Sequence, residues 1–325
     1  MKETERDGNT RFRQIRAKEE KVSFFSPINK GGRRGATAAA VGSILLWCTS
    51  GVCFTSGARL LGPMVYLTLM TATGVITVVL LQSFRRRPLG DLIRLPFRVI
   101  IAGFWGVSFY TVILAFAFGT APEQAIGQVN LLNYLWPVWI VLLSTFLIRE
   151  KIRPIPMSAG VLLGFSGIVS ARGVSDLLRM PEAPLPLVLA LLGGFLWALY
   201  SVLLRRWRIP EEQGGTAFHF TLCAAMAAAV AAFQGEWQNL PPVGPEALFW
   251  VLFGGIGPVG LAYHWWEIGV KRGNVPLIST LAYFTPIGST LLISLLFREA
   301  MGPGLISGSV LIAAGAWLAG RSVSN

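Results

Sequence analysis

The sequence predicts an all-α membrane protein: ten transmembrane helices, arranged as two inverted five-helix repeats around a central cavity. Three observations carry this reading. Hydrophobic residues make up 53% of the 325 residues and charged residues only 14%, where a soluble domain carries about 25% charged. Ten apolar windows are each long enough to cross a hydrocarbon core about 30 Å thick. Residues 117–172 can also be laid over 266–321 at a constant offset of 149 without a gap. An ordinary soluble enzyme, a disordered protein and a disulfide scaffold are excluded by this composition.

The windows run from Ala36 to Gly57, Pro63 to Phe84, Phe97 to Phe118, Glu123 to Ile148 and Pro154 to Ala171. The second five run from Leu185 to Leu204, Thr216 to Phe233, Ala247 to Val270, Asn274 to Phe297 and Pro303 to Gly320. Gly and Pro pairs punctuate them, such as Gly62-Pro63, Arg153-Pro154, Pro241-Pro242 and Gly302-Pro303,. Lipid cannot satisfy bare backbone groups, so a span is a helix or a barrel strand. Runs of this length fit helices and not short alternating strands. The organisation expected is a charged tail over 1–35, a first repeat over 36–173 and a second over 185–321.

Basic residues set the orientation. With the N-terminus in the cytoplasm, the tail, the inner loops and the C-terminus hold 24 Lys/Arg, and the outer loops hold 4. The expected location is therefore the bacterial inner membrane, multi-pass, with both termini inside. The net charge of +12 is read as membrane topology, not nucleic-acid binding. The tail, with Arg11, Arg13 and Arg16, faces anionic lipid or is simply solvated. Cys48, Cys53 and Cys223 lie in apolar stretches and read as packing residues.

The repeat rests on its least hydrophobic matches. Tyr134-Leu135-Trp136-Pro137 meets Tyr283-Phe284-Thr285-Pro286, Arg149-Glu150 meets Arg298-Glu299, and Pro154 meets Pro303. Trp47 matches Trp197 at an offset of 150. Five spans per half place the second half upside down relative to the first, a transporter plan that gives one chain two nearly equivalent shapes.

Pro137 and Pro286 sit mid-span at matched positions and free the carbonyls of Asn133 and Ala282,. Those carbonyls are expected to face a cavity; a kink that only improves packing is the other reading. Asn130, Asn133, Tyr134 and Pro137 share one helix face, as do Ser279, Thr280, Tyr283, Pro286, Thr290 and Ser294. Polar stripes in lipid turn to the bundle interior, as binding groups or as interhelical glue. Trp47, Phe109, Tyr110, Trp136, Trp197, Tyr200 and Tyr263 lie within spans. There they can wall a cavity, although any single one is more often core packing. The candidate substrate-binding set is thus Trp47, Tyr110, Asn130, Asn133, Tyr134, Trp136, Pro137, Trp197, Tyr200, Tyr263, His264, Tyr283 and Pro286.

Few titratable groups enter the spans. His264 and Glu267 lie one turn apart and read either as a proton-carrying pair or as a satisfied pair at a cytoplasmic mouth,. No Asp lies within a span. There is no paired-carboxylate site, no phosphate loop and no metal-ligand cluster, so neither cofactor nor metal is expected. A membrane-embedded transferase would need a convergent catalytic set that the sequence lacks.

Taken together, Ile44-Leu45-Leu46-Trp47, Asn133-Tyr134-Leu135-Trp136-Pro137, Phe195-Leu196-Trp197-Ala198-Leu199-Tyr200, Gly273-Asn274-Val275 and Tyr283-Phe284-Thr285-Pro286 resemble the drug/metabolite transporter superfamily. The resemblance is to its EamA-type branch, and within that to bacterial aromatic amino acid exporters. It implies a monomeric basket of helices around a largely apolar cavity, and efflux of aromatic and other neutral amino acids. It implies that Tyr134, Trp136 and Trp197 line that cavity. A drug or metabolite exporter of the same fold is the alternative. His264, Glu267 and the long tail depart from the family pattern.

Overall fold

A computed structural model describes residues 30–84, 89–147, 153–172, 184–207, 215–272, 281–282, 284–297 and 303–321. Every regular element among them is helical. The chain begins with α1 (Lys30–Cys48), α2 (Ser50–Leu61), α3 (Pro63–Phe84) and α4 (Phe97–Thr120). Next come α5 (Ile126–Asn133), α6 (Trp136–Leu147), α7 (Pro154–Arg172), α8 (Pro184–Arg206) and α9 (Thr216–Phe233). The last elements are α10 (Pro245–Gly254), α11 (Ala262–Arg272), α12 (Thr285–Phe297) and α13 (Pro303–Gly320). Five helices are long and apolar enough to cross a membrane, or six if α1 and α2 count as one bent span. The bulk of the tail, Asp176, Arg149-Glu150, Arg298-Glu299 and Tyr283 fall outside the described residues, as do the side chains of Pro137, Glu267, Pro286 and Thr290.

The outward surface is apolar. Ile76, Leu80, Phe146, Ile155, Leu162, Phe165 and Leu295 are each more than half exposed. Apolar faces of this extent need lipid around them. The polar side chains turn inward: Ser43, Thr71, Ser108, Asn130, Asn133, His219 and Ser289 are buried.

Helices bury these faces in a definite set of pairs. α7 runs along α13, and α3 along α9. α1 packs on α11 and α12, while α8 packs on α4, α5 and α6. The α7–α13 contact depends on small residues, as the Gly160-x-x-x-Gly164 and Gly304-x-x-x-Gly308 spacings suggest. A Cβ on Gly315 would stand 2.6 Å from the Gly160 carbonyl and 2.7 Å from the Gly164 nitrogen. Only glycine lets the two backbones come so close.

Several spans are not straight. α1 and α2 meet at an angle of 41° across Thr49. The window from Glu123 to Ile148 divides into α5 and α6 across Tyr134 and Leu135. Pro137 has no N–H to give to Asn133, so the Leu135 N–H turns to the Leu132 carbonyl instead (3.2 Å),. Two segments are π-helical: Phe104–Phe109 within α4, and Gly255–Leu261 between α10 and α11. Pro258 lies inside the second and accounts for it locally,. The first contains no proline.

One carboxylate joins the two halves of the chain. Glu236, in the turn after α9, accepts the backbone N–H groups of Met64 (3.0 Å) and Val65 (2.9 Å). These are donors of the first turn of α3, which has no helical partner for them. The charge also suits the positive end of the helix dipole. At the same end of the bundle Arg59 meets Glu123 at 2.9 Å, and its guanidinium lies 4.8 Å from the Phe297 ring centre. That pair is exposed and contributes at most about 1 kcal/mol. The Glu236 cap is the stronger tie. Glu236→Ala should cost about 1–2 kcal/mol of stability, and Glu236→Gln, which keeps one acceptor, should cost less. Thermal unfolding in detergent reads both; unchanged midpoints would remove the cap from the account of stability.

Candidate substrate cavity

The breaks in the spans converge. A cavity of about 370 Å³ lies where α1–α2, α4, α5–α6, α8, α11 and the residues flanking position 283 come together. Its size falls within the range of small-molecule sites. Trp47, Ser50 and Gly51 reach it from either side of the Thr49 bend. Tyr110 and Thr111 follow directly on the first π-segment, and Pro258 and Val259 belong to the second.

Of the expected residues, Trp47, Tyr110, Asn130, Asn133, Tyr134, Trp136, Trp197 and Tyr263 line this cavity. Tyr200 does not. It is buried behind Trp197, with ring centres 5.8 Å apart, and covers His219 at 6.3 Å. His264 is partly buried on α11 and is not on the wall. Ser50, Gly51, Thr111, Pro258, Trp266 and Thr285 are lining residues that sequence reasoning did not nominate. A mid-span proline was the available signal for Pro258, masked by a glycine series that reads as packing.

Tyr263 stands between the two repeat-matched tryptophans. Its ring meets Trp47 edge-on at 5.3 Å and Trp197 edge-on at 6.2 Å. Trp197 also tilts against Tyr110 at 5.9 Å, and Trp266 against Trp47 at 5.1 Å. Such edge contacts are favoured by the ring quadrupoles. They leave ring faces available to a guest.

The polar groups are largely committed to one another. Ser289 donates to Asn130 Oδ1 at 3.0 Å and ties α12 to α5. The Tyr134 hydroxyl reaches the Trp47 carbonyl at 3.4 Å. The Asn133 side chain lies against the Tyr110 hydroxyl, while its Oδ1 has no hydrogen-bond partner among the described residues.

The freed carbonyls differ from expectation. The Asn133 oxygen is packed on Gly194 of α8, where a Cβ would stand 2.7 Å from it. The Ala282 oxygen accepts the Thr285 hydroxyl at 2.7 Å. Both are closed off, because a bare carbonyl beside an apolar wall is costly and a neighbouring donor or close packing covers it.

None of the described residues lining the cavity is Asp, Glu, Lys, Arg or His. Among the described residues no cluster of His, Cys, Asp or Glu could hold a metal. His219 is buried outside the cavity, its imidazole nitrogens without partners among the described residues. Ser108 donates to its backbone carbonyl at 2.7 Å, which pins α9 to the first π-segment. The arrangement can enclose a small, mostly apolar solute that carries no net charge.

Comparison with known proteins bears on this site. Residues 184–321 match the model of the EamA-like transporter family. The aromatic amino acid exporter YddG of Ancylobacter novellus is 34% identical over 290 residues, covering 88% of this chain and 97% of that protein. The protein of that name from Escherichia coli is 26% identical, over 89% of this chain and 99% of its own length. The Salmonella typhimurium protein is 29% identical over 72% and 81%. A solved crystal structure that is 32% identical superimposes with a TM-score of 0.65, over 88% of this chain and 96% of that one. A multi-pass helical chain with relatives of this identity along nearly its whole length is a transporter and not an enzyme: it belongs to the EamA-like transporter family.

Proposed function

We propose that this chain exports aromatic amino acids, and other neutral amino acids less well, across the bacterial inner membrane. The observation that carries the reading is the mid-bundle cavity, walled by Trp47, Trp197, Tyr110 and Tyr263 and lined by no charged side chain among the described residues. A planar side chain stacks there, and the zwitterionic head meets neutral dipoles. The names of the relatives point the same way.

The mechanism is alternating access by two oppositely inserted five-helix halves. Several features support it. The π-segments occupy corresponding places in the two repeats. Breaks flank Tyr134 and position 283, which the sequence repeat also matches. The packing pairs repeat as well: α1 on α11 corresponds to α8 on α4, and α1 on α12 to α8 on α5 and α6. The protein acts as a monomer with both termini in the cytoplasm, as the distribution of Lys and Arg favours,. Asn130, Asn133, Tyr134 and Trp136 complete the proposed wall; Pro137, Tyr283 and Pro286 are proposed beside it from the sequence repeat, and Tyr200 and His264 lie off it.

Uptake of labelled phenylalanine or tryptophan into liposomes tests the reading. Saturable uptake is expected, and Trp136→Ala and Trp197→Ala should each weaken it roughly ten-fold, the value of a lost ring contact plus its buried area. Undiminished uptake in both variants would remove those rings from the site. In a competition panel, neutral aromatic amino acids should displace phenylalanine well, and lysine and organic cations poorly. Preference for cations would favour the drug-exporter reading instead.

A further inference from the structure

Trp47 and Trp197 are matched by the repeat, and both wall the cavity, yet their indole N–H groups are placed differently. Trp47 Nε1 donates to the Pro258 carbonyl at 3.2 Å. The Trp197 indole N–H donates to nothing among the described residues, and it is not sealed inside the protein. Trp197 lies in the middle of α8 and lines the cavity.

The acceptor of Trp47 belongs to the second π-segment, where Pro258 sits. In the first π-segment the Val107 carbonyl accepts the Thr111 hydroxyl at 2.6 Å.

We infer that the Trp197 indole N–H receives the carboxylate of the transported amino acid, while Trp47 is a fixed wall held to the Pro258 carbonyl. This rests on the exporter reading and deepens it. Two points support the assignment. No cationic side chain lines the cavity among the described residues, so a carboxylate must be met by neutral donors. The Trp197 ring is held between Tyr110, Tyr200 and Tyr263, so its N–H has a set direction. Of the other cavity tryptophans, Trp266 packs on Trp47, and Trp136 has no ring neighbour among the described residues to orient it.

The test separates ring from N–H. Trp197→Phe keeps an aromatic wall and loses the donor. Its KM for phenylalanine should rise about ten-fold or more, the value of a hydrogen bond to a charged group, with the maximal rate little changed. Trp47→Phe removes an N–H already committed to the backbone and should raise KM less than Trp197→Phe does. An unchanged KM in Trp197→Phe, or an equal rise in both, would overturn the inference. A measurement on the unaltered protein guards against misfolding of the variants: phenylalaninamide, which keeps ring and amine but has no carboxylate, should compete about ten-fold less well than phenylalanine. Equal competition overturns the inference too. Unaltered protein that takes up no aromatic amino acid would overturn the exporter reading itself, whereas uptake with an indifferent Trp197→Phe overturns the Trp197 assignment alone.

Discussion

In a bilayer every backbone N–H and C=O must find its partner inside the protein. This constraint governs where the helices are allowed to break. The bend at Thr49, the turn at Tyr134 and Leu135 and the two π-segments all abut the cavity. Among the described residues, none from the uninterrupted helices α7 and α13 lines it. At four carbonyls around these breaks a side chain donates. Thr49 covers Leu46 (2.6 Å), Thr111 covers Val107, Thr285 covers Ala282, and Trp47 covers Pro258. The breaks therefore create the cavity without leaving raw backbone in it. What a guest meets is a set of side chains, chosen by which donors the backbone has not already claimed.

The same constraint leaves the two ends of the α3–α9 pair chemically unequal. Gly62 and Gly215 each precede a helix and adopt positive φ, at 85° and 68°. Against Gly62 lies the Glu236 carboxylate; against Gly215 lies Leu95. One end of the α3–α9 pair is thus held by charge-assisted hydrogen bonds, and the other by apolar contact. On the proposed inverted arrangement these are opposite sides of the membrane. Alternating access needs two states of similar free energy, and an uneven pair of clamps is a direct way to set which state is favoured.

Some of this was legible in the sequence. The apolar helical character could be read because lipid demands long apolar runs, although among the described residues five or six helices, not ten, are long and apolar enough to cross. The break between α5 and α6 could be read because Pro137 cannot donate. Eight of the thirteen nominated site residues line the cavity, since mid-span aromatics and polar stripes have few other places to go. The first π-segment was not legible: Phe104–Phe109 carries no proline and reads as ordinary helix. Nor was the fate of each polar group. Asn130 and Asn133 look equivalent one turn apart, but Ser289 from a distant span satisfies one and not the other. Trp47 and Trp197 match in the repeat, yet only Trp47 donates to a carbonyl of another helix among the described residues. Partners across helices are set by three-dimensional packing, which local periodicity does not encode.

On the proposed exporter reading, a cavity lined by no charged side chain among the described residues also explains how selectivity can arise. Every amino acid brings the same zwitterionic head, and taking it out of water costs several kcal/mol against neutral dipoles alone. That cost does not discriminate between substrates. The side chain does. An aromatic ring buries about 150–250 Å², which at about 25 cal/mol per Å² stabilises the bound state by roughly 4–6 kcal/mol. Glycine or serine has almost nothing to offset the head group, and a lysine adds a second charge to desolvate. On the proposed exporter reading, the walls built from Trp47, Trp197 and Tyr263 thus select by what the ring returns on burial, and the polar groups need only hold the head in one orientation.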